Sequence, residues 1–141
     1  MGNAGYAGDI TPQQAWDLLE ENSDAVLVDV RTEAEWKYVG VPDTAPIGRQ
    51  TLLIEWVSFP TGARNDNFVD QLKEAGVTPG ERPVIFLCRS GQRSIGAAKA
   101  ATAAGIGPSY NVLEGFEGPI DRQGHRGGNG WRAHGLPWKQ S

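Results

Sequence analysis

The feature that most constrains this chain is an apolar run that ends in its only cysteine and leads through a polar loop into an alanine-rich segment. The run, residues 83–88, has the length and flanks of a buried strand. Residues 95–105 predict a helix that ends at Gly105. Because Cys88 lies where the strand gives way to the helix, it faces the partial positive charge of the helix N-terminus.

The loop of residues 89–94 carries groups that would stabilise an ionised sulfur. Its peptide N–H groups can form a concave anion site, and Arg89 and Arg93 add two positive charges. Ser90 and Ser94 are either hydroxyl donors to the sulfur or only loop and helix-cap hydroxyls. A cysteine that merely fills space in a core needs neither cations nor glycine beside it. The pattern therefore indicates a thiolate nucleophile.

The segment Cys88-Arg89-Ser90-Gly91-Gln92-Arg93-Ser94 resembles the active-site loop of rhodanese-type sulfurtransferases. The resemblance implies that Cys88 takes the outer sulfur of thiosulfate or a similar small donor and becomes a persulfide. It implies transfer of that sulfur to cyanide, a thiol or a protein acceptor, without a cofactor or a metal. The residues implied are Cys88 and Arg93 for catalysis, and Arg89, Ser90, Gly91, Gln92 and Ser94 for binding the substrate and the persulfide.

A second signature precedes the cysteine. Residues 25–31 contain a continuous apolar run, as in a central parallel strand covered on both faces, and Asp29 lies near its carboxyl end. With the residues that follow, this run resembles the second rhodanese signature, in which Asp29 would support the active site. Asp29 could equally cap a loop beside the sheet. For Arg31 and Glu35 we expect an ion pair within the domain.

Residues 40–47 depart from the family pattern, because Val41 stands where a histidine is usual and Asp43 where a glycine is usual. We expect a changed turn here and no loss of activity.

The rest of the chain alternates strand and helix patterns, which predicts an α/β fold with a mainly parallel sheet. The family resemblance implies a rhodanese-like three-layer arrangement with about five strands flanked by helices. Helix starts with capping boxes are predicted at Thr11 and Thr32. A helix is predicted over 67–76, a turn over 78–82 and a last strand over 108–113, whereas residues 52–57 fit either strand or helix.

The predicted domain organisation is simple. Residues 1–8 form a flexible N-terminus, and residues 9–141 form one domain. Within it, residues 117–141 form an irregular glycine-rich tail that Trp131 and Trp138 hold against the body.

Composition excludes several classes of partner. A net charge of -4 and a pI near 5.1 argue against nucleic acid. No apolar run approaches the ~20 residues of a membrane span, and no signal peptide pattern is visible. A single cysteine fits a reducing compartment such as the cytoplasm, and a monomer is expected. His125 and His134 are too few for a metal site beside one thiol.

Two other functional classes stay open. Cysteine phosphatases and arsenate reductases use a related loop, but here the spacing from Cys88 to Arg93 is one residue shorter than in protein tyrosine phosphatases. A tetrahedral phosphoryl group needs a wider cradle than a single sulfur atom. A regulatory binding module or a sulfur relay between proteins is the second class. A relay differs from an enzyme that turns over thiosulfate mainly in its acceptor.

Overall fold

The computed structural model describes residues 5–48, 51–57, 63–78, 80–89, 91, 93–118 and 130–139. Its main sheet has five parallel strands in the order β1-β6-β5-β2-β4. The strands are β1 (Gly8–Ile10), β2 (Val26–Asp29), β4 (Thr51–Leu53), β5 (Gly80–Leu87) and β6 (Ile106–Val112). The α/β parallel-sheet prediction is confirmed, and the strand before the cysteine, β5, lies in the centre.

Helices cover both faces of this sheet. They are α1 (Pro12–Glu21), α2 (Glu33–Val39), α3 (Phe68–Glu74) and α4 (Arg93–Ala103). Successive residues of a strand point to opposite faces, so Val28 of β2 packs in one apolar cluster and Leu27 in the other. The first cluster includes Phe68 of α3 and Ala97 of α4, whereas α1 packs in the second. This explains why the central strands read as continuous apolar runs.

Both predicted capping boxes are present. The hydroxyl of Thr11 accepts from the backbone N–H of Gln14, and that of Thr32 accepts from the N–H of Glu35. In each helix the side chain of the third residue accepts in return from the backbone N–H of the cap. These short-range bonds set where α1 and α2 begin.

Besides shifts of one or two residues at the ends of α3 and β6 (Ile106–Val112), three predicted features were wrong. Residues 80–82, predicted as a turn, belong to β5, and Gly80 pairs with Ile106 before an irregularity between Glu81 and Val84. Pro83 lies within that irregularity. Because proline has no N–H to donate, it interrupts the regular ladder of hydrogen bonds between the strands. Helix α4 begins at Arg93, two residues earlier than predicted. Its first two residues are polar, and because Arg93 pairs with Glu35 and Ser94 contacts Cys88, they extend the helix beyond its apolar pattern.

The tail was the third difference. Residues 138–139 form β7 (Trp138–Lys139), which pairs antiparallel with β3 (Val41–Pro42), so the tail is not wholly irregular. In the segment 52–57, left undecided by the sequence, residues 52–53 belong to the edge strand β4 and no residue is helical. Residues 1–4 and 119–129 lie outside the described part of the chain, and the predicted flexible N-terminus stays a prediction. No helix among the described residues has the length and apolar character to cross a bilayer.

Candidate active site

Cys88 immediately follows β5, where parallel strands end together at one edge of the sheet. Only 1% of the surface of Cys88 is exposed to solvent. The backbone N–H of Gly91 donates to Cys88 Sγ at 3.2 Å, and the Ser94 hydroxyl lies 3.2 Å from the same atom. The sulfur is therefore buried but lies against one peptide N–H and one hydroxyl, both suited to a negative charge.

Gly91 lets the loop turn back on the sulfur. Its φ is +94°, in the left-handed region that glycine adopts without strain. A Cβ added there would lie 3.2 Å from Val112 O and from Glu114 N. Ser90 and Gln92, also predicted to bind the substrate, lie outside the described residues. The N–H of Gly91 is thus the loop donor that the structure places on the sulfur.

Arg93 begins α4 and is held by Glu35. Its two terminal nitrogens each donate to one Glu35 carboxylate oxygen at 2.8 Å, a bidentate arrangement. Burial tends to raise the pKa of Glu35, but the hydrogen bonds and charge of Arg93 outweigh it and hold that pKa below its usual value. The hydrogen bonds from Arg93 to Glu35 raise the pKa of Arg93, and the charge of Cys88 contributes. The geometry therefore assigns Arg93 to holding α4 beside the sulfur.

Arg89 differs from Arg93 because its side chain is exposed. Its backbone carbonyl accepts from the N–H groups of Glu117 and Gly118, and the carbonyl of Cys88 accepts from the N–H of Phe116. These bonds attach the cysteine loop to the turn after β6. The guanidinium of Arg89 is the loop cation that the structure leaves facing solvent.

Asp29 and Arg31 form a buried pair with each other. Arg31 Nη2 donates to Asp29 Oδ2 at 2.6 Å and to the carbonyl of Gly40 at 2.6 Å. Its guanidinium carbon lies 4.2 Å from the centre of the Phe116 ring. Arg31 and Glu35 are each in an ion pair within the domain, as expected, but with different partners: Arg31 pairs with Asp29 and Glu35 with Arg93. The pair joins β2, β3 and the turn after β6.

Gly115 lies in the turn after β6, next to the cysteine loop. Its φ is +60°, and a Cβ there would lie 2.6 Å from the carbonyl carbon of Arg89 and also against the carbonyl of Cys88. The absence of a side chain at 115 is therefore what allows this turn to contact the cysteine loop. The sequence shows a glycine at position 115, but it does not show that this glycine contacts the cysteine loop.

Asn111 was missed altogether. It is fully buried on β6, and it contacts Ser94 and the carbonyl of Gly91. A polar residue inside an apolar strand near its carboxyl end was the available signal.

The Nε2 atom of His134 lies 3.1 Å from a carboxylate oxygen of Glu114. In the part of the chain that the structure describes, no three His, Cys, Asp or Glu side chains come together as a metal site.

Comparisons with known proteins agree with this fold. The family model described as "Rhodanese-like domain" matches residues 11–119. The chain is 59% identical to Rv0390 of M. tuberculosis, whose crystal structure superposes with a TM-score of 0.88 over 96% of this chain and 99% of that one. A polysulfide-sulfur transferase homodimer from Wolinella succinogenes is 28% identical, with a TM-score of 0.64 over 94% of this chain and 78% of that one.

Two curated sequences extend the comparison. Protein RC0915 of Rickettsia conorii is 35% identical over 92% of this chain and 95% of its own length. The thiosulfate sulfurtransferase GlpE of Pseudomonas syringae pv. syringae is 29% identical over 77% of this chain and 82% of its own length.

Proposed function

Because the chain belongs to the rhodanese-like domain family, which supports sulfurtransferase-type activity in general, we propose that it transfers a sulfane sulfur through a Cys88 persulfide. The observation that carries this proposal is the pair of donors, Gly91 N–H and Ser94 O–H, 3.2 Å from the sulfur. Such donors stabilise negative charge on a nucleophilic sulfur.

The proposed reaction has two covalent steps. In the first, the Cys88 thiolate attacks the outer sulfur of thiosulfate, the S–S bond of the donor breaks, and sulfite leaves with the bonding electron pair. In the second, cyanide or a thiolate attacks the outer sulfur of the persulfide, and the Cys88 thiolate leaves. Charge balances in both steps, and no electron acceptor is needed.

The surroundings of the sulfur favour a small anionic donor. Cys88 is almost fully buried, so a donor must present its sulfane sulfur at the end of a small molecule. Arg93 already holds a carboxylate, whereas Arg89 is exposed and carries an unshared charge toward solvent. The names of the Pseudomonas and Wolinella relatives point to thiosulfate and polysulfide as donors of this kind.

The decisive experiment separates sulfur transfer from the phosphatase and arsenate reductase alternatives. The protein is incubated with thiosulfate, the intact mass is measured, and cyanide is then added while thiocyanate is assayed. We expect one added sulfur atom, followed by thiocyanate release, and the loss of both signals in Cys88→Ser. Hydrolysis of an aryl phosphate or reduction of arsenate by the wild type, without sulfur uptake, would overturn the proposal.

The relay alternative gives a different result in the same assay. A sulfur carrier would gain the sulfur atom but return it slowly to cyanide and rapidly to a protein thiol. We further propose a monomer that works in the cytoplasm. Light scattering of the purified protein tests the first of these, and a dimeric mass, as in the Wolinella homodimer, would contradict it.

A further inference from the structure

One side chain supports both described donors to the cysteine sulfur. Asn111, fully buried on β6, donates from Nδ2 to the carbonyl of Gly91 at 3.2 Å and to the Asp9 carboxylate at 3.0 Å. Its Oδ1 accepts from the Ser94 hydroxyl in a close contact. Gly91 and Ser94 are the same residues whose N–H and O–H face Cys88 Sγ.

The neighbours of the Asn111 amide settle its orientation. A carboxylate and a peptide carbonyl can only accept, so the amide nitrogen must face Asp9 and Gly91. The amide oxygen then faces Ser94. Because an amide oxygen cannot donate, the hydrogen of this contact belongs to the Ser94 hydroxyl.

The Ser94 hydroxyl therefore has one hydrogen to donate and two possible acceptors, Asn111 Oδ1 and Cys88 Sγ. When Cys88 is a neutral thiol, the hydroxyl hydrogen can stay on Asn111 Oδ1 while the S–H donates to Ser94 Oγ. When the sulfur is ionised, a hydrogen bond to the anion is stronger than one to a neutral amide. The hydroxyl then turns to the sulfur, and Asn111 Oδ1 loses its donor.

We propose that Asn111 is a positioning residue that competes with ionised Cys88 for the Ser94 hydroxyl hydrogen and so sets the pH at which the nucleophile ionises; this rests on the proposed sulfurtransferase function. Once the sulfur is transferred, the charge moves to the outer sulfur and the hydroxyl can return to Asn111. The competition between Asn111 and Cys88 for this hydrogen therefore destabilises the Cys88 thiolate more than it destabilises the persulfide that forms from it.

Several charged groups also face this site from the elements around it. Arg93 approaches from α4 with its partner Glu35 from α2, Asp29 with Arg31 from the end of β2, Asp9 from β1 and Arg89 from the loop. The test below substitutes none of them, but Asn111→Leu removes the hydrogen bond that the Asp9 carboxylate accepts from Asn111, and the Ser94→Ala background controls for that loss. The loop also keeps its hydrogen bonds to the turn at residues 116–118 when Asn111 is replaced.

The test is a pH titration of thiolate ultraviolet absorbance, taken as the difference from Cys88→Ser, and the single cysteine makes that difference specific. We expect Asn111→Leu to move the ionisation midpoint to lower pH by roughly half to one unit, the equivalent of one hydrogen bond. In a Ser94→Ala background the same substitution should leave the midpoint in place. An unmoved or raised midpoint with Ser94 present, or an equal shift in both backgrounds, overturns the proposal.

A second measurement needs no substitution at Asn111. The infrared S–H stretch of neutral Cys88 should show a hydrogen-bonded thiol in the wild type and an unbonded thiol in Ser94→Ala. An identical band in both proteins contradicts the proposed arrangement. Neither readout requires sulfur transfer, so failure of the thiosulfate assay and failure of this inference are separate results.

Discussion

At the residue scale, Glu35 limits the role of Arg93, the second arginine after the cysteine, because it occupies the Arg93 guanidinium. The sequence indicated that Arg93 adds a positive charge beside the sulfur and acts in catalysis. Its two hydrogen bonds to Glu35 occupy the ends of the guanidinium, and its charge is offset by a partly buried carboxylate. Holding α4 in place is therefore the role that the geometry favours for Arg93, and we propose that the exposed Arg89 attracts the anionic donor.

The ion pair predicts a pH-dependent effect of Glu35→Gln. Because the pKa of Glu35 is lowered in the folded protein, the pair stabilises the fold above the unfolded Glu pKa, and this contribution is lost as pH falls through the lowered value. We expect a loss of about 1–3 kcal/mol near neutral pH and little difference from wild type in strong acid. Urea unfolding at both pH values measures it.

The matched control is the exposed Glu20→Gln, which should change stability little at either pH. If Glu35→Gln destabilises equally in acid and at neutral pH, the charge of Glu35 is not what stabilises the fold.

A second residue-scale prediction concerns Gly115. Gly115→Ala must adopt a left-handed φ and also place a Cβ against the backbone of Arg89. We expect a loss of about 2–5 kcal/mol together with slower sulfur loading, because the cysteine loop must move. Gly48→Ala has a similar φ of +68° but nothing within 4 Å of the added Cβ. It should cost only about 1–2 kcal/mol and leave loading unchanged, whereas equal effects of the two variants would show that the close contact is unimportant.

At the element scale, the two capping boxes have the same sequence pattern but different consequences for the protein. Helix α1 lies in the apolar layer opposite α4, so its cap serves stability. Helix α2 carries Glu35, which both closes the capping box with Thr32 and binds Arg93. The start of α2 is therefore linked to the start of α4.

This difference predicts unlike effects of two equivalent substitutions. Thr11→Ala and Thr32→Ala should each cost about 1 kcal/mol as lost caps. Thr32→Ala should also slow persulfide formation, since the Thr32 hydroxyl and N–H that orient the Glu35 carboxylate are disturbed. Thermal unfolding and the initial rate of sulfur uptake measure the two effects. Equal uptake rates in both variants would mean that the cap of α2 has no influence on the site.

At the scale of the whole molecule, the C-terminal tail is part of the core. Trp131 is fully buried, its ring lies 5.9 Å from that of Trp16, and its Nε1 donates to the carbonyl of Pro137. Trp138, which was predicted to act in the same way, is 41% exposed and lies over Gly40. The two tryptophans therefore contribute unequally.

We expect Trp131→Ala to cost about 3–5 kcal/mol, as for other fully buried aromatic residues. Trp138→Ala should cost clearly less, because much of its ring is already in contact with water. Denaturant unfolding of both variants tests the order. A larger loss for Trp138→Ala would show that the pairing of β3 with β7 matters more than core burial.

What the sequence determined by itself is local. The capping boxes, the apolar strands and the cysteine loop each depend on residues within a few positions of one another, so their patterns were sufficient to predict the α/β fold and to single out Cys88. Only the tertiary structure decided the partners. Arg93 and Glu35 are 58 positions apart and Asn111 and Asp9 are 102 apart. Such contacts follow from the order in which parallel strands assemble at one edge, which no local pattern records.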